Sequence, residues 1–74
     1  FFQEGDSGPP VEALQTMLSL HGYQTETHGI FGSQTKGAVM AFQRHFRPAR
    51  VDGVADASTI ATLHKLLSAL PTLA

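Results

Sequence analysis

One loop-to-helix segment occurs twice in this chain of 74 residues, at a separation of 24 positions. The first copy, HGIFGSQT, spans residues 28–35, and the second, DGVADAST, spans residues 52–59. Both copies have glycine at their second position and threonine at their eighth. A further correspondence links the stretches 11–15 and 39–43, which both end in glutamine. Because an internal repeat reflects a repeated structural unit, the sequence predicts two similar joints that each lead into a helix.

Length and composition limit the fold to one small domain over residues 1–74. In a chain this short only about 60% of the unfolded surface can be buried. The absence of cysteine removes disulfides and thiolate metal sites. A net charge of −1 argues against a binder of nucleic acid or another polyanion, and no apolar run reaches the roughly 18 residues of a membrane span. The Phe-Phe start without methionine suggests a piece of a longer protein.

Apolar residues at helical spacing predict three helices, over about residues 10–21, 33–46 and 56–70. Gly22 is placed to end the first helix, and Gly32 is a plausible N-cap of the second. Asp56 is a stronger cap for the third helix, because its carboxylate can accept hydrogen bonds from free amides at the positive end of the helix dipole. We therefore expect an all-α, compact three-helix bundle, with room for short strands in its two loops.

The same spacing predicts which side chains form the core. Ile30 and Phe31 are expected to anchor the first loop, and Phe42 and Phe46 to point inward from the second helix. Gly37, which costs about 1 kcal/mol against alanine in a helix, suggests a tight helix crossing. The other expected inward residues are Val11, Leu14, Leu18, Val39, Ile60, Leu63, Leu67 and Leu70.

Catalytic and metal-binding patterns are weak in this sequence. The four histidines are scattered, and none lies four positions from another as in a zincin helix. Three of the six acidic residues, Asp6, Asp52 and Asp56, are typical of turns or caps rather than of a glycosidase pair. No serine has the context of a nucleophile elbow. We expect no catalytic residue, metal or cofactor in this domain.

An ordered series of short motifs resembles the peptidoglycan-binding domain family with a three-helix fold. The resemblance runs from about residue 4 to residue 67. Its members are Gly5-Asp6-Ser7-Gly8, Val11-x-x-Leu14-Gln15, Gly22-Tyr23, Gly29-x-Phe31-Gly32-x-x-Thr35, Ala38-Val39-x-x-Phe42-Gln43 and Asp52-Gly53 followed by Thr59. The stretch 42–48 is also similar to the C-terminal module of zinc-dependent N-acetylmuramoyl-L-alanine amidases of Gram-negative cell envelopes.

The resemblance implies a non-catalytic module that targets an attached cell-wall hydrolase to its polymer. The binding partner would be peptidoglycan, either as a muropeptide or as a glycan strand. The protein would be located in the cell envelope, in the periplasm or otherwise outside the cytoplasm. Zinc and hydrolysis would belong to an attached amidase domain. Two positions depart from the family: His28 stands where an acidic residue is usual, and Asp56 where glycine is usual. His28 is the more interesting, because histidine changes its charge near neutral pH.

Seven residues are predicted to contact the ligand, on the first loop, beside it and on the second helix. They are Asp6, Tyr23, His28, Gly29, Gln43, Arg44 and Arg47. Several have structural alternatives. Gln43, like Gln15, could form hydrogen bonds with backbone groups of a loop. Thr35 and Thr59 could connect the first turn of a helix to the preceding loop.

Tyr23 could cover the edge of the core or offer its ring as a platform for a sugar or peptide. Arg44, Arg47 and Arg50 could stabilise the end of the second helix through its dipole, or bind the carboxylates of stem peptides in bidentate fashion. Of the two joints, the first is predicted to be the binding joint, with the arginines near it.

Two other function classes stay open at this point. One is a protein-interaction or inhibitory module, since a similar fold precedes some metalloproteinase catalytic domains. The other is a helix-turn-helix binder of nucleic acid, although the third helix offers chiefly His64 and Lys65 for reading bases.

Overall fold

A computed structural model describes residues 2–68, and within that range it contains three helices. They are α1 (Pro9–Leu20), α2 (Ser33–Phe46) and α3 (Ala57–Ser68). The predicted all-α three-helix bundle is confirmed. Helix α3 begins one residue later than predicted because Asp56 is its cap, and the expected inward position of Leu70 lies outside the described residues.

The ends of the helices follow from local chemistry. A proline pair occupies the first turn of α1, where no intrahelical N–H bond is lost. At the other end Gly22 takes a φ of +86° and its N–H bonds to the carbonyl of Ser19, while the Tyr23 N–H bonds to that of Leu18 at 3.0 Å. This is a Schellman motif, which requires a left-handed residue such as glycine. At the start of α3 the Thr59 amide donates to Asp56 Oδ1 at 2.9 Å, so the predicted cap is confirmed.

The core is formed by one face of each helix together with one side chain from each joint. Phe31 comes from the first joint and Ala55, 24 positions later, from the second, and both are buried. Phe2, Met17, Tyr23, Ile60 and Leu66 are partly buried and pack against this core. The buried apolar residues of the helices are Val11, Leu14, Leu18, Ala38, Val39, Phe42 and Leu63.

Three expectations about the core are wrong. Ile30 is 59% exposed, because it precedes the buried Phe31 and successive residues of an extended segment point to opposite sides. Phe46 is 43% exposed: its ring packs on Phe42, but its position at the end of α2 leaves it open to solvent. Gly37 is exposed, and a Cβ added to it would meet no atom within 4 Å, so no helix crosses there.

The N-terminal segment ties the two joints together. Phe2 pairs with Ala55 in an antiparallel bridge, and Ser7 pairs with Ile30 in another. The Gly5 amide also donates to the carbonyl of Phe31 at 2.9 Å. In residues 2–68 these pairings are isolated bridges. They involve the two loops in which short strands were considered possible.

Candidate binding site

A buried glutamine organises each joint. The Gln15 amide donates to the carbonyl of Ile30 and to Thr35 Oγ1, both at 2.9 Å, and its Oε1 accepts the N–H of Gly29 at 2.8 Å. Since Gln15 is fully buried, these bonds satisfy loop groups that would be costly to bury unpaired.

Gln43 repeats this arrangement in the second joint. Its amide donates to the carbonyl of Val54 at 2.8 Å and to Thr59 Oγ1 at 3.1 Å, and its Oε1 accepts the N–H of Gly53 at 3.0 Å. It also bonds to the Asp52 side chain and amide. The structural alternative for both glutamines and both threonines is confirmed. Gln43, which is 1% exposed, is therefore left out of the contact surface proposed below.

His28 and Asp52 occupy the same place in their joints and accept the same hydrogen bond. The Ile30 N–H donates to His28 Nδ1 at 3.1 Å, and the Val54 N–H donates to Asp52 Oδ1 at 3.0 Å. The Val54 bond is the largest cause that holds the pKa of Asp52 below its usual 3.8. An imidazole nitrogen thus replaces a carboxylate oxygen as the acceptor in the first joint.

The first joint and the start of α2 enclose a groove of about 340 Å³, which we call the first groove. The loop contributes Glu26, His28 and Ile30 to its lining, and the start of α2 contributes Ser33 and Gln34. His28 Nε2 lies 3.1 Å from the carboxylate of Glu26, and the Gln34 side-chain oxygen accepts the N–H of Glu26 at 2.9 Å. The exposed Ile30 is a large apolar side chain beside these polar groups.

The predicted ligand-contact residues do not all meet at this groove. His28 lines it, whereas Gly29 is buried behind it and donates its amide to Gln15. Gly29 has a φ of +83°, and an added Cβ would lie 3.3 Å from the carbonyl oxygen of Gly8. Its role in the structure is to let the loop close. Asp6 adjoins the loop, since its carbonyl accepts the N–H of Phe31 at 2.9 Å.

Tyr23 lies against the core. Its ring meets that of Phe42 edge to face, with the centroids 5.6 Å apart. The ring is half-buried, as expected if Tyr23 covers the edge of the core. Arg44 is exposed on α2 and is not among the residues that line the first groove. For Asp6, Tyr23 and Arg44 a direct role in ligand binding stays a prediction.

The placement of Arg47 and Arg50 beside the first joint is wrong. Arg47 Nη1 bonds to both carboxylate oxygens of Asp56, at 2.9 and 3.0 Å, and Arg50 Nε donates to Asp52 Oδ2 at 3.3 Å. Both arginines therefore belong to the second joint, because its two aspartates attract them. Arg47, predicted as a ligand contact, is occupied by this ion pair and is left out of the proposed surface.

The pair between Arg47 and Asp56 also affects ionisation. Burial raises the pKa of Asp56, but the bonds from the Thr59 amide and from Arg47 outweigh it and hold the pKa at about 2, against an ordinary 3.8. The carboxylate of Asp56 is thus committed to the start of α3 and to Arg47.

Sequence reasoning missed Glu26, Ile30, Ser33 and Gln34 as groove residues. A signal was present: Glu26 and Ile30 lie within two positions of His28, the loop residue predicted to bind, and the bend at residues 28 and 29 brings all three to the groove. The residue type of Ile30 concealed this, because an isoleucine next to a phenylalanine suggests a core anchor.

Within residues 2–68, no group of three or more histidine, cysteine or acidic side chains is arranged to hold a metal ion. In the same range, no helix has the length and apolarity needed to cross a bilayer.

Residues 7–63 match the family model described as "Putative peptidoglycan binding domain". The chain belongs to the peptidoglycan-binding domain family. This family is one of binding modules, and it associates the domain with the cell wall. No curated protein sequence matches the chain.

Solved structures agree with this membership. The N-terminal domain of SleB is 39% identical with a TM-score of 0.81, and the match covers 88% of this peptidoglycan-binding domain and 89% of that chain. A peptidoglycan-binding protein from Clostridioides difficile, solved with glutamine hydroxamate, is 37% identical with a TM-score of 0.83, over 88% of this chain and 40% of that one. The Burkholderia AP3 phage endolysin is 39% identical with a TM-score of 0.79, over 84% and 24%. The domain therefore spans less than half of the latter two chains.

Proposed function

We propose that this domain binds peptidoglycan through the first groove and holds an attached cell-wall hydrolase on its polymer. The observation that carries the site is the exposed Ile30 side chain within a groove whose other walls are polar. Muropeptides present apolar C–H faces next to hydroxyl, amide and carboxylate groups. A groove with one apolar side chain and several hydrogen-bonding groups is the usual chemistry of a site for such a ligand.

The polar groups of the groove supply complementary hydrogen bonds. Glu26 is an acceptor and Ser33 can donate and accept. His28 Nε2, which lies 3.1 Å from Glu26, can donate to a ligand oxygen in place of that carboxylate. All three are exposed, so ligand binding exchanges water contacts rather than breaking a buried network. We expect an affinity between micromolar and millimolar, or about 4 to 8 kcal/mol.

Weak binding is sufficient if a catalytic domain is attached. Tethering raises the effective concentration of that domain near its substrate. The matched unit forms about a quarter of the AP3 endolysin chain, which supports a modular arrangement. On the resemblance of residues 42–48, we propose a zinc-dependent N-acetylmuramoyl-L-alanine amidase as the attached enzyme, with zinc held in that domain. The proposed location of the whole protein is the cell envelope, in the periplasm or another extracytoplasmic place.

The placement of the site can be tested by sedimentation with insoluble peptidoglycan sacculi. Ile30→Ser removes an apolar contact worth about 1 kcal/mol if half the side chain is covered by ligand, so the affinity should fall about fivefold. Leu20→Ser is the matched control, because Leu20 is also exposed, at 64%, and does not line the groove. Equal binding by both variants and the unchanged chain would contradict the placement. Failure of the unchanged chain to sediment with sacculi would instead favour a protein-interaction module.

A further inference from the structure

The second joint forms a groove of its own. It has a volume of about 500 Å³ and lies between the joint and the start of α3. We call it the second groove. Six of its seven lining residues are displaced by 24 positions from those of the first groove, and the seventh, Gln3, comes from the N-terminal segment. Arg50, Asp52, Val54, Asp56, Ala57 and Ser58 stand for Glu26, His28, Ile30, Gly32, Ser33 and Gln34. The internal repeat thus reproduces a surface depression as well as a buried glutamine.

The two grooves differ in the charged groups at their rims, where Arg50, Asp52 and Asp56 of the second replace Glu26, His28 and Gly32 of the first. Arg50 takes the place of Glu26, and its side chain is 70% exposed. Its Nε donates to Asp52 Oδ2 at 3.3 Å, and an exposed pair of this kind contributes little and exchanges readily with other ligands. A guanidinium with five N–H donors can bind a second carboxylate while it keeps this contact.

The acidic side chains of the second groove already accept hydrogen bonds, including the one from Arg50 to Asp52. Asp56 accepts the Thr59 amide and both bonds from Arg47. Asp52 accepts the Val54 amide and the Gln43 amide through one oxygen. Their charges are compensated by these donors, so they oppose an incoming carboxylate less than free carboxylates would. Val54 is half-buried and lines the second groove together with Arg50. It offers an apolar contact surface at the position equivalent to Ile30.

We propose that the second groove is a second ligand subsite, which binds a carboxylate of a stem peptide through Arg50 while the first groove holds another part of the polymer. The proposal rests on the proposed function, since it concerns the same ligand. Two weak subsites on one domain would increase its retention on a polymer that repeats its groups, because the second contact becomes intramolecular.

The test uses amide chemical shifts of the 74-residue chain titrated with a soluble disaccharide-peptide that has free carboxylates. Shifts are expected at residues 26–34 and at residues 50–58. Arg50→Gln should weaken the response at residues 50–58 about tenfold and leave that at 26–34 unchanged. The same ligand with its carboxylates amidated should lose only the second response. Lys65→Gln, which removes an exposed cation that lines neither groove, should change nothing.

A pair of blocking variants provides an independent measurement. Ser33→Tyr and Ala57→Tyr add the same ring at equivalent exposed positions in the first turns of α2 and α3. Each should abolish the shifts of its own groove. Shifts confined to residues 26–34 would overturn the second subsite and leave the proposed function standing. An equal loss in Lys65→Gln and Arg50→Gln would show general charge attraction and also overturn it, and shifts at neither groove would overturn both proposals.

Discussion

Replacement of Gln43 by methionine tests the most specific claim about the joints. Methionine keeps the length and approximate volume of glutamine but cannot make its five hydrogen bonds. The Gly53 N–H, which is buried, and the Val54 carbonyl would lose their partner. Each unsatisfied group costs about 1–3 kcal/mol, so the free energy of unfolding should fall by about 2–6 kcal/mol.

That loss is large for a domain of this size. At about 0.05–0.15 kcal/mol per residue, a 74-residue chain has a stability of about 4–11 kcal/mol. Gln15→Met should cost less, because Gln15 makes three bonds and Thr35 keeps its contact with Thr25 at 3.1 Å. Gln24→Met, at an exposed position, should change stability by less than about 0.5 kcal/mol.

Urea unfolding followed by circular dichroism measures all three variants. The expected order of destabilisation is Gln43→Met, then Gln15→Met, then Gln24→Met, with similar m-values. A cost below about 1 kcal/mol for Gln43→Met would refute the reasoning from buried unsatisfied groups. If that variant kept its stability and lost binding to sacculi, the amide would be a ligand contact instead.

Three further results are expected. Gly37→Ala should raise the free energy of unfolding by about 0.5–1 kcal/mol in the same urea assay, since the helical site is open to an added Cβ; a loss of stability would show a close contact there. The pKa of Asp56, about 2 when folded against an ordinary 3.8, implies a stabilisation that is fully present above pH 3.8 and is lost as pH falls through 2. At about 1.4 kcal/mol per pKa unit, reduced by solvent screening, this stabilisation amounts to about 1–2 kcal/mol. Asp56→Asn should therefore reduce, by that amount, the difference between the free energies of unfolding at pH 6 and at pH 2. An unchanged difference would mean that other carboxylates cause it. His28→Asp should keep the amide of Ile30 protected from hydrogen exchange, because a carboxylate at this position can accept the same bond as Asp52 does; faster exchange would show that the imidazole is required.

Much of the fold was predictable because local rules and tertiary structure agree. The Schellman glycine Gly22 and the cap Asp56 act within a few residues of their own positions, so their roles can be derived from sequence. The buried glutamines could also be anticipated, since a polar residue beside core positions must find partners. Ile30 and Phe46 could not be placed, because helical or extended spacing does not show where the neighbouring helices stop covering a surface.

The sequence by itself determined three helices, two equivalent joints and membership of a peptidoglycan-binding family, because capping, periodicity and repeat matching depend on neighbours in the chain. Only the tertiary structure decided which joint the arginines serve. Arg47 and Arg50 lie a few residues before the second joint, and the ion pairs that they form with Asp56 and Asp52 fix them to it. The two grooves share a backbone plan, and the residue types at their equivalent positions make them chemically different. Which of the charged groups are paired is decided only by contacts that form when the chain folds.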